Sequence, residues 1–308
     1  MIESSVPKAK RKGRPAASRA ADAVVKRLIA FCGWLAIAIL AAIFAFLLIN
    51  ATRALREVGL WGMVSGTDWY PTSTSAKYGF LPSEVGSLWV TGVALMLAVP
   101  IGILASIYLS EFAHGRFKEI AKSVVEFMAA VPSVVLGLLG LAYVAPAVQR
   151  TFHLQSGLAA LTAGIVVGVM SLPTIISISE DALHNVPKDL RDGSLALGNT
   201  GWQTTYKVIV PSASSGIFAA SMLGLGRAIG ETMVVLMLAG NSGLISTSPF
   251  EAARTLTGTI AQEMGEVVRG GQHYSVLFTM GLVLFAVTFA INLAADLVLE
   301  RQRKKWRR

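Results

Sequence analysis

Apolar residues gather into six long runs separated by polar, charge-bearing segments. A helix needs about 20 consecutive apolar residues to cross the hydrocarbon core of a bilayer. Leu28–Ile49, Leu88–Leu109, Val124–Val148, Leu158–Ile178, Ile209–Ala239 and Tyr274–Leu299 meet that length and predict six transmembrane helices. The fifth run is long and carries charge. Pro100, Pro132, Pro146 and Pro173 fall inside runs. They do not argue against helix, because in a bilayer neighbouring helices satisfy the backbone groups a proline frees. The small-residue pairs Gly164/Gly168 and Gly226/Gly230 predict places where helices approach closely. The fold class is an all-α polytopic membrane protein.

Composition agrees. Of the 308 residues, 54% are hydrophobic and 15% charged, against about 25% charged in soluble domains. A net charge of +9 would suggest nucleic acid in a soluble chain. Here the cations sit at the edges of the apolar runs, so topology accounts for them and no nucleic-acid partner is expected. Placing the N-terminus inside puts twenty cations on the cytosolic side and six outside, with Arg227 alone within a span. The positive-inside rule then sets both termini in the cytosol. The run Leu28–Ile49 exceeds the h-region of a signal peptide, about 7–15 residues, and reads as an uncleaved first span. The domain reading is a basic cytosolic tail at 1–27, the first span with its outer loop at 28–82, a five-span core at 83–299, and a basic C-terminus at 300–308. Cys32 is the one cysteine, so an intrachain disulfide is excluded. His114, His153, His184 and His273 lack metal-ligand spacing, and no metal site is expected.

Within the loop 179–208 between the fourth and fifth spans, the stretch 185–208 is of another kind. Pro187 suits the first turn of a helix. Lys188–Leu197 can form a short helix that Gly198 ends in the left-handed conformation. A second short helix is expected from Trp202 towards Pro211. This helix–turn–helix resembles the cytoplasmic loop of bacterial ABC-importer permeases, whose pattern is Glu-Ala-Ala, three residues, Gly, nine residues, Ile-x-Leu-Pro. The chain carries Asp192-Gly193-Ser194, then Gly198, then Val208-Ile209-Val210-Pro211. Gly and Pro keep their spacing, while the opening triplet departs. The resemblance implies that the helix seats in a groove of an ATPase subunit, with Lys188, Asp189, Asp192, Leu195 and Gly198 as the contact residues. An ordinary amphipathic loop helix is the alternative.

The fifth run contains Gly224-Leu-Gly-Arg-Ala-Ile-Gly-Glu231. A charge at the bilayer centre costs about 2.5–3.5 kcal/mol even on the lenient insertion scale, so retained charges are functional by default. Arg227 and Glu231 are spaced i and i+4, so both lie on one helix face and can pair. Gly224, Gly226 and Gly230 thin the helix around them. A guanidinium matches a tetrahedral oxyanion through forked hydrogen bonds. Glu231 can accept a proton from phosphate, which carries one near neutral pH; sulfate does not. The alternative is a structural ion pair that fixes helix register. Glu126, near the start of the third run, is a further candidate for the substrate path, with an ordinary interfacial position as its alternative. Asp296 reads as interfacial.

Leu225-Gly-Arg-Ala-Ile-Gly-Glu-Thr-Met233 with Gly240-Asn241, and Glu126-Phe-Met-Ala-Ala-Val-Pro-Ser-Val-Val-Leu-Gly-Leu-Leu-Gly140, resemble the phosphate-specific ABC importer permeases of the PstC type. The likeness runs from about Ser83 to Leu299. It implies the type I importer fold and a pore shared with a sister permease of the PstA type. It also implies two copies of a PstB-type ATPase, a periplasmic PstS-type phosphate-binding protein and a link to a phosphate-signalling regulator. Arg227 and Glu231 would lie on the phosphate path.

The chain has no Gly-x-x-x-x-Gly-Lys-Ser/Thr string to cradle a nucleotide phosphate. It is therefore expected to hold no cofactor and no catalytic residue, with ATP and Mg at the partner ATPase. The rival readings are a permease for sulfate, molybdate or phosphonate, an ion-coupled secondary transporter, or a membrane anchor. Secondary transporters often show inverted repeats, and none is evident between the two halves. An anchor would not need Arg227 and Glu231 within a span.

Overall fold

The computed structural model describes residues 16–306, with side chains at 24–297 and 300. The two basic terminal segments, 1–27 and 300–308, thus lie almost wholly outside the described side chains. The chain divides at Ile49 into two units. The first holds most of α1 (Ala16–Glu57), whose side chains from Val24 to Ile49 are nearly all exposed and apolar. Its length and apolarity suit a membrane span. Cys32 sits on it, free and exposed.

The second unit begins at Asn50. The segment that follows holds α2 (Leu60–Val64) and a short hairpin of β1 (Trp69–Tyr70) and β2 (Lys77–Tyr78). Then come α3 (Leu81–Ile107), α4 (Gly115–Ala130), α5 (Ser133–Leu139) and α6 (Ala145–Thr151). The central helix is α7 (Ala160–His184). The loop helix α8 (Lys188–Ala196) precedes α9 (Gly201–Thr204) and α10 (Val210–Ile229). The chain ends with α11 (Met233–Leu238), α12 (Leu256–Glu263) and α13 (Gln272–Trp306). Six stretches of the described residues are long and apolar enough to cross a membrane.

The core forms around α7 because small residues let neighbours close on it. Gly164 meets Val93 of α3, where an added Cβ would lie 2.6 Å from Val93 Cβ. Gly216 of α10 meets Ala182, where a Cβ would lie 2.3 Å from that residue's own. Without a hydrophobic drive between helices in lipid, such close packing is what holds them together. A separate cluster of Met63, Trp69, Phe80, Leu256, Leu277 and Met280 packs the segment after α1 onto α12 and the start of α13.

Two spans differ from the expected boundaries. The third, expected as Val124–Val148, is the stretch Ser133–Thr151. Val131 and Pro132 adopt extended dihedrals and separate it from α4, on which no residue is buried. Proline disfavours helix at the residue before it, so the break falls where Pro132 puts it. The fifth, expected as Ile209–Ala239, is Gly201–Ile229. It starts earlier because Thr200 and Gln203 form a capping box. It then runs through a π-helical turn at Thr205–Ile209 into α10, whose first turn holds Pro211. It ends at Gly230, and α11 is a separate helix.

Candidate functional site

The middle of α7 gathers the interrupted elements. Val166, Val167 and Met170 pack with Val234, Val235 and Leu238 of α11. One turn further, Leu172 and Ile176 pack near Ala121 and Val125 of α4. α5 lies on α11 through Gly137, where a Cβ would come 2.8 Å from Met237 Sδ.

Arg227 lies in the last turn of α10. Its Nη1 donates to Thr174 Oγ1 on α7 at 3.2 Å. The expected pairing with Glu231 is not made: among the described residues no ion pair joins them. The reason is the helix end. The i, i+4 relation requires helix from Arg227 to Glu231, and α10 stops at Ile229. Glu231 instead turns to the next helix, its Oε1 accepting from Val234 N–H at 3.3 Å. Its main-chain carbonyl accepts from Thr257 Oγ1 at 2.9 Å, tying the break to α12. Around Gly226 there is open space, with nothing within 4 Å of an added Cβ. Arg227 and Glu231 therefore belong to different helices' ends rather than to one face. Glu126 is exposed on α4, before the break at Pro132.

At the other end of α7, α8 stands out from the body. Lys188, Asp189, Asp192, Leu195 and Gly198 are all exposed. Pro187 is the N-cap rather than a first-turn residue. Gly198 has φ +84°, and the helix closes through Gly198 N–H to Leu195 O at 2.9 Å. A Cβ is disfavoured in that left-handed region, so glycine suits the position.

Three polar clusters were not singled out from the sequence. Glu180 on α7 is 5% exposed and accepts Lys118 at 3.5 Å and Lys122 at 3.3 Å from α4. It falls in the expected loop 179–208, because the fourth apolar run ends at Ile178. The helical repeat through Ile176, Glu180 and Leu183 was the available signal. Arg191 of α8 pairs with Glu111, a contact between distant segments that no local pattern reveals. On α12, Glu263 accepts from Trp69 Nε1 at 3.0 Å, Arg254 Nη1 at 2.7 Å and His273 Nε2 at 2.8 Å. Burial alone would raise the Glu263 pKa. The hydrogen bonds from His273 and Trp69 and the Arg254 charge outweigh it and hold the carboxyl below its ordinary range. A cavity of about 690 Å³ opens beside this cluster. No group of three or more His, Cys, Asp or Glu side chains suited to a metal ion occurs among the described residues.

Six candidate spans and a short exposed helix between the fourth and fifth define a polytopic membrane protein. The chain belongs to the family of binding-protein-dependent transport system inner membrane components, which it matches over residues 98–308. It is an ABC importer permease and a multi-pass protein of the inner membrane. It is 37% identical over 280 residues to a probable ABC transporter permease, YqgH, of Bacillus subtilis, covering 90% of this chain and 91% of that one. It is 33% identical over 299 residues to the phosphate transport system permease PstC of Mesorhizobium japonicum, covering 91% and 90%. Its fold is similar to that of a bacterial alginate ABC transporter solved with its pentasaccharide-bound periplasmic protein. There the TM-score is 0.62 at 15% identity, over 91% of this chain and 96% of that one.

Proposed function

We propose that the chain is the PstC-type permease of a phosphate importer, forming half of the pore with a PstA-type sister. The PstC relatives, matched along nearly their whole length, carry this reading. The state of Arg227 supports it. A guanidinium has five N–H donors, and Thr174 takes one. An arginine in a membrane without a carboxylate partner favours an anion, and the remaining donors match phosphate oxygens. A pairing with Glu231 would have made phosphate compete for those donors.

Glu231 is the proton acceptor that separates phosphate from sulfate, and Glu126 lies further along the same path. Both termini face the cytosol. α8 seats in a PstB-type ATPase, with Lys188, Asp189, Asp192, Leu195 and Gly198 at the contact, and ATP and Mg are held by that partner. A PstS-type binding protein delivers phosphate from outside, and lipid surrounds the exposed faces of α1. A phosphate-signalling regulator reads the assembled system. The breaks at Val131–Pro132 and Gly230–Thr232 are the places where spans bend as access alternates. Arg227 holds phosphate weakly, so release is not stalled.

Two measurements test this. Purification of the tagged chain from its native membrane is expected to bring an ATPase subunit with it. Glu231→Gln is expected to narrow the preference for labelled phosphate over sulfate in uptake by the assembled complex. Unchanged preference removes Glu231 from selection, and absence of an ATPase removes the importer reading.

A further inference from the structure

The helix α8 buries only Ser194. Its apolar residues Leu190 and Leu195 are exposed, so apolar packing does not fasten it to the bundle. Two polar ties do. Ser194 Oγ is 2.9 Å from Thr204 Oγ1, which joins α8 to the start of the fifth span. Arg191 makes the other. Its Nη1 donates to Glu111 Oε2, at the inner end of the second span, and its Nη2 donates to Leu183 O in the last turn of α7 at 2.8 Å. Glu111 is 7% exposed and its Oε1 is held by Ser110 Oγ at 2.8 Å. One fork on one residue of α8 therefore grips two spans that also pack on each other.

We propose that Arg191 is a positioning residue that carries displacement of α8 into α3 and α7, while Ser194 carries it into the fifth span. The inference rests on the importer reading. A planar fork that donates in two directions is stiff in a way a single lysine contact is not. A charge-assisted bond to a nearly buried carboxylate resists breaking, because separation leaves Glu111 unpaired. Movement of α8 then moves the inner ends of α3 and α7 with it rather than being lost in the loop.

The test is phosphate transported per ATP hydrolysed, measured in liposomes on the complete complex with its ATPase and binding protein. Wild type without ATP-dependent uptake overturns the importer reading and this inference with it. Given coupled wild type, Arg191→Ala is expected to lower phosphate per ATP about tenfold while ATP turnover persists, the factor a charge-assisted hydrogen bond is worth. Arg191→Lys, which keeps the charge towards Glu111 and loses the fork, is expected to recover part of that loss. If Arg191→Ala does not assemble, Arg191→Lys and Glu111→Gln give the same reading, each with a smaller fall in the ratio. Uptake and ATP turnover falling in proportion, or a wild-type ratio in the variants that assemble, overturns the role of Arg191 alone.

Discussion

Arg227 reaches Thr174 across the contact between α10 and α7, at 3.2 Å, and not Glu231 four residues along its own chain. The guanidinium is thereby aimed from α7 while most of its donors stay unengaged by the described residues. The carboxylate that could have neutralised it caps α11 instead.

Thr174→Val removes that aiming contact and leaves the shape of α7 intact. Arg227 must then be ordered when the anion binds, a cost of about 1 kcal/mol for a long side chain. The half-saturating phosphate concentration is expected to rise about fivefold, with maximal uptake nearly kept. Initial-rate measurements on the assembled complex check this; an unchanged half-saturation would mean that Thr174 does not aim the arginine.

The Glu180 cluster predicts an asymmetry. Glu180 is 6% exposed at its side chain, whereas Lys118 and Lys122 are 30% and 45% exposed. Replacing both lysines by Met strands a buried carboxylate, which is expected to cost about 3 kcal/mol. Glu180→Gln frees two lysines that already reach water and is expected to cost about 1 kcal/mol or less. Thermal unfolding of the purified chain in detergent ranks the variants. The opposite order would show that the lysines, not the carboxylate, carry the burden of burial.

The Glu263 cluster predicts a pH dependence. The Glu263 carboxyl titrates below its ordinary range in the folded protein. The folded state therefore binds the proton more weakly than the unfolded chain does, and stability is gained as the carboxylate ionises. That contribution is complete above the unfolded-state pKa and is lost as pH falls through the depressed folded value. Glu263→Gln is expected to flatten the acid side of the stability profile and leave its slope near neutrality unaffected by this group. A steep acid limb retained in Glu263→Gln would assign it to other groups.

The six spans were legible because length and apolarity suffice for them. The fourth, for instance, was expected at Leu158–Ile178 and is found at Ala160–His184. What failed was continuity. Apolar composition runs through Pro132 and on past Gly230, so the two broken spans read as whole. Pro132 and the glycines at 224, 226 and 230 were visible, yet in lipid such residues are tolerated inside helices. The i, i+4 pairing of Arg227 with Glu231 inherited that error. The loop helix was legible nearly to the residue, since Pro187 and Gly198 fix its ends by local chemistry. The contacts of Glu180, Glu111 and Glu263 were not, because each partner comes from another segment of the chain.

The central claim is that Arg227 lies on the path of a phosphate importer. The most direct measurement is ATP-dependent uptake of labelled phosphate and sulfate by the assembled complex, for wild type and Arg227→Ala. Expected are phosphate uptake by wild type alone, little sulfate uptake by either, and an Arg227→Ala complex that assembles but does not transport. Phosphate uptake indifferent to Arg227 or to ATP, or sulfate carried as readily as phosphate, would contradict it.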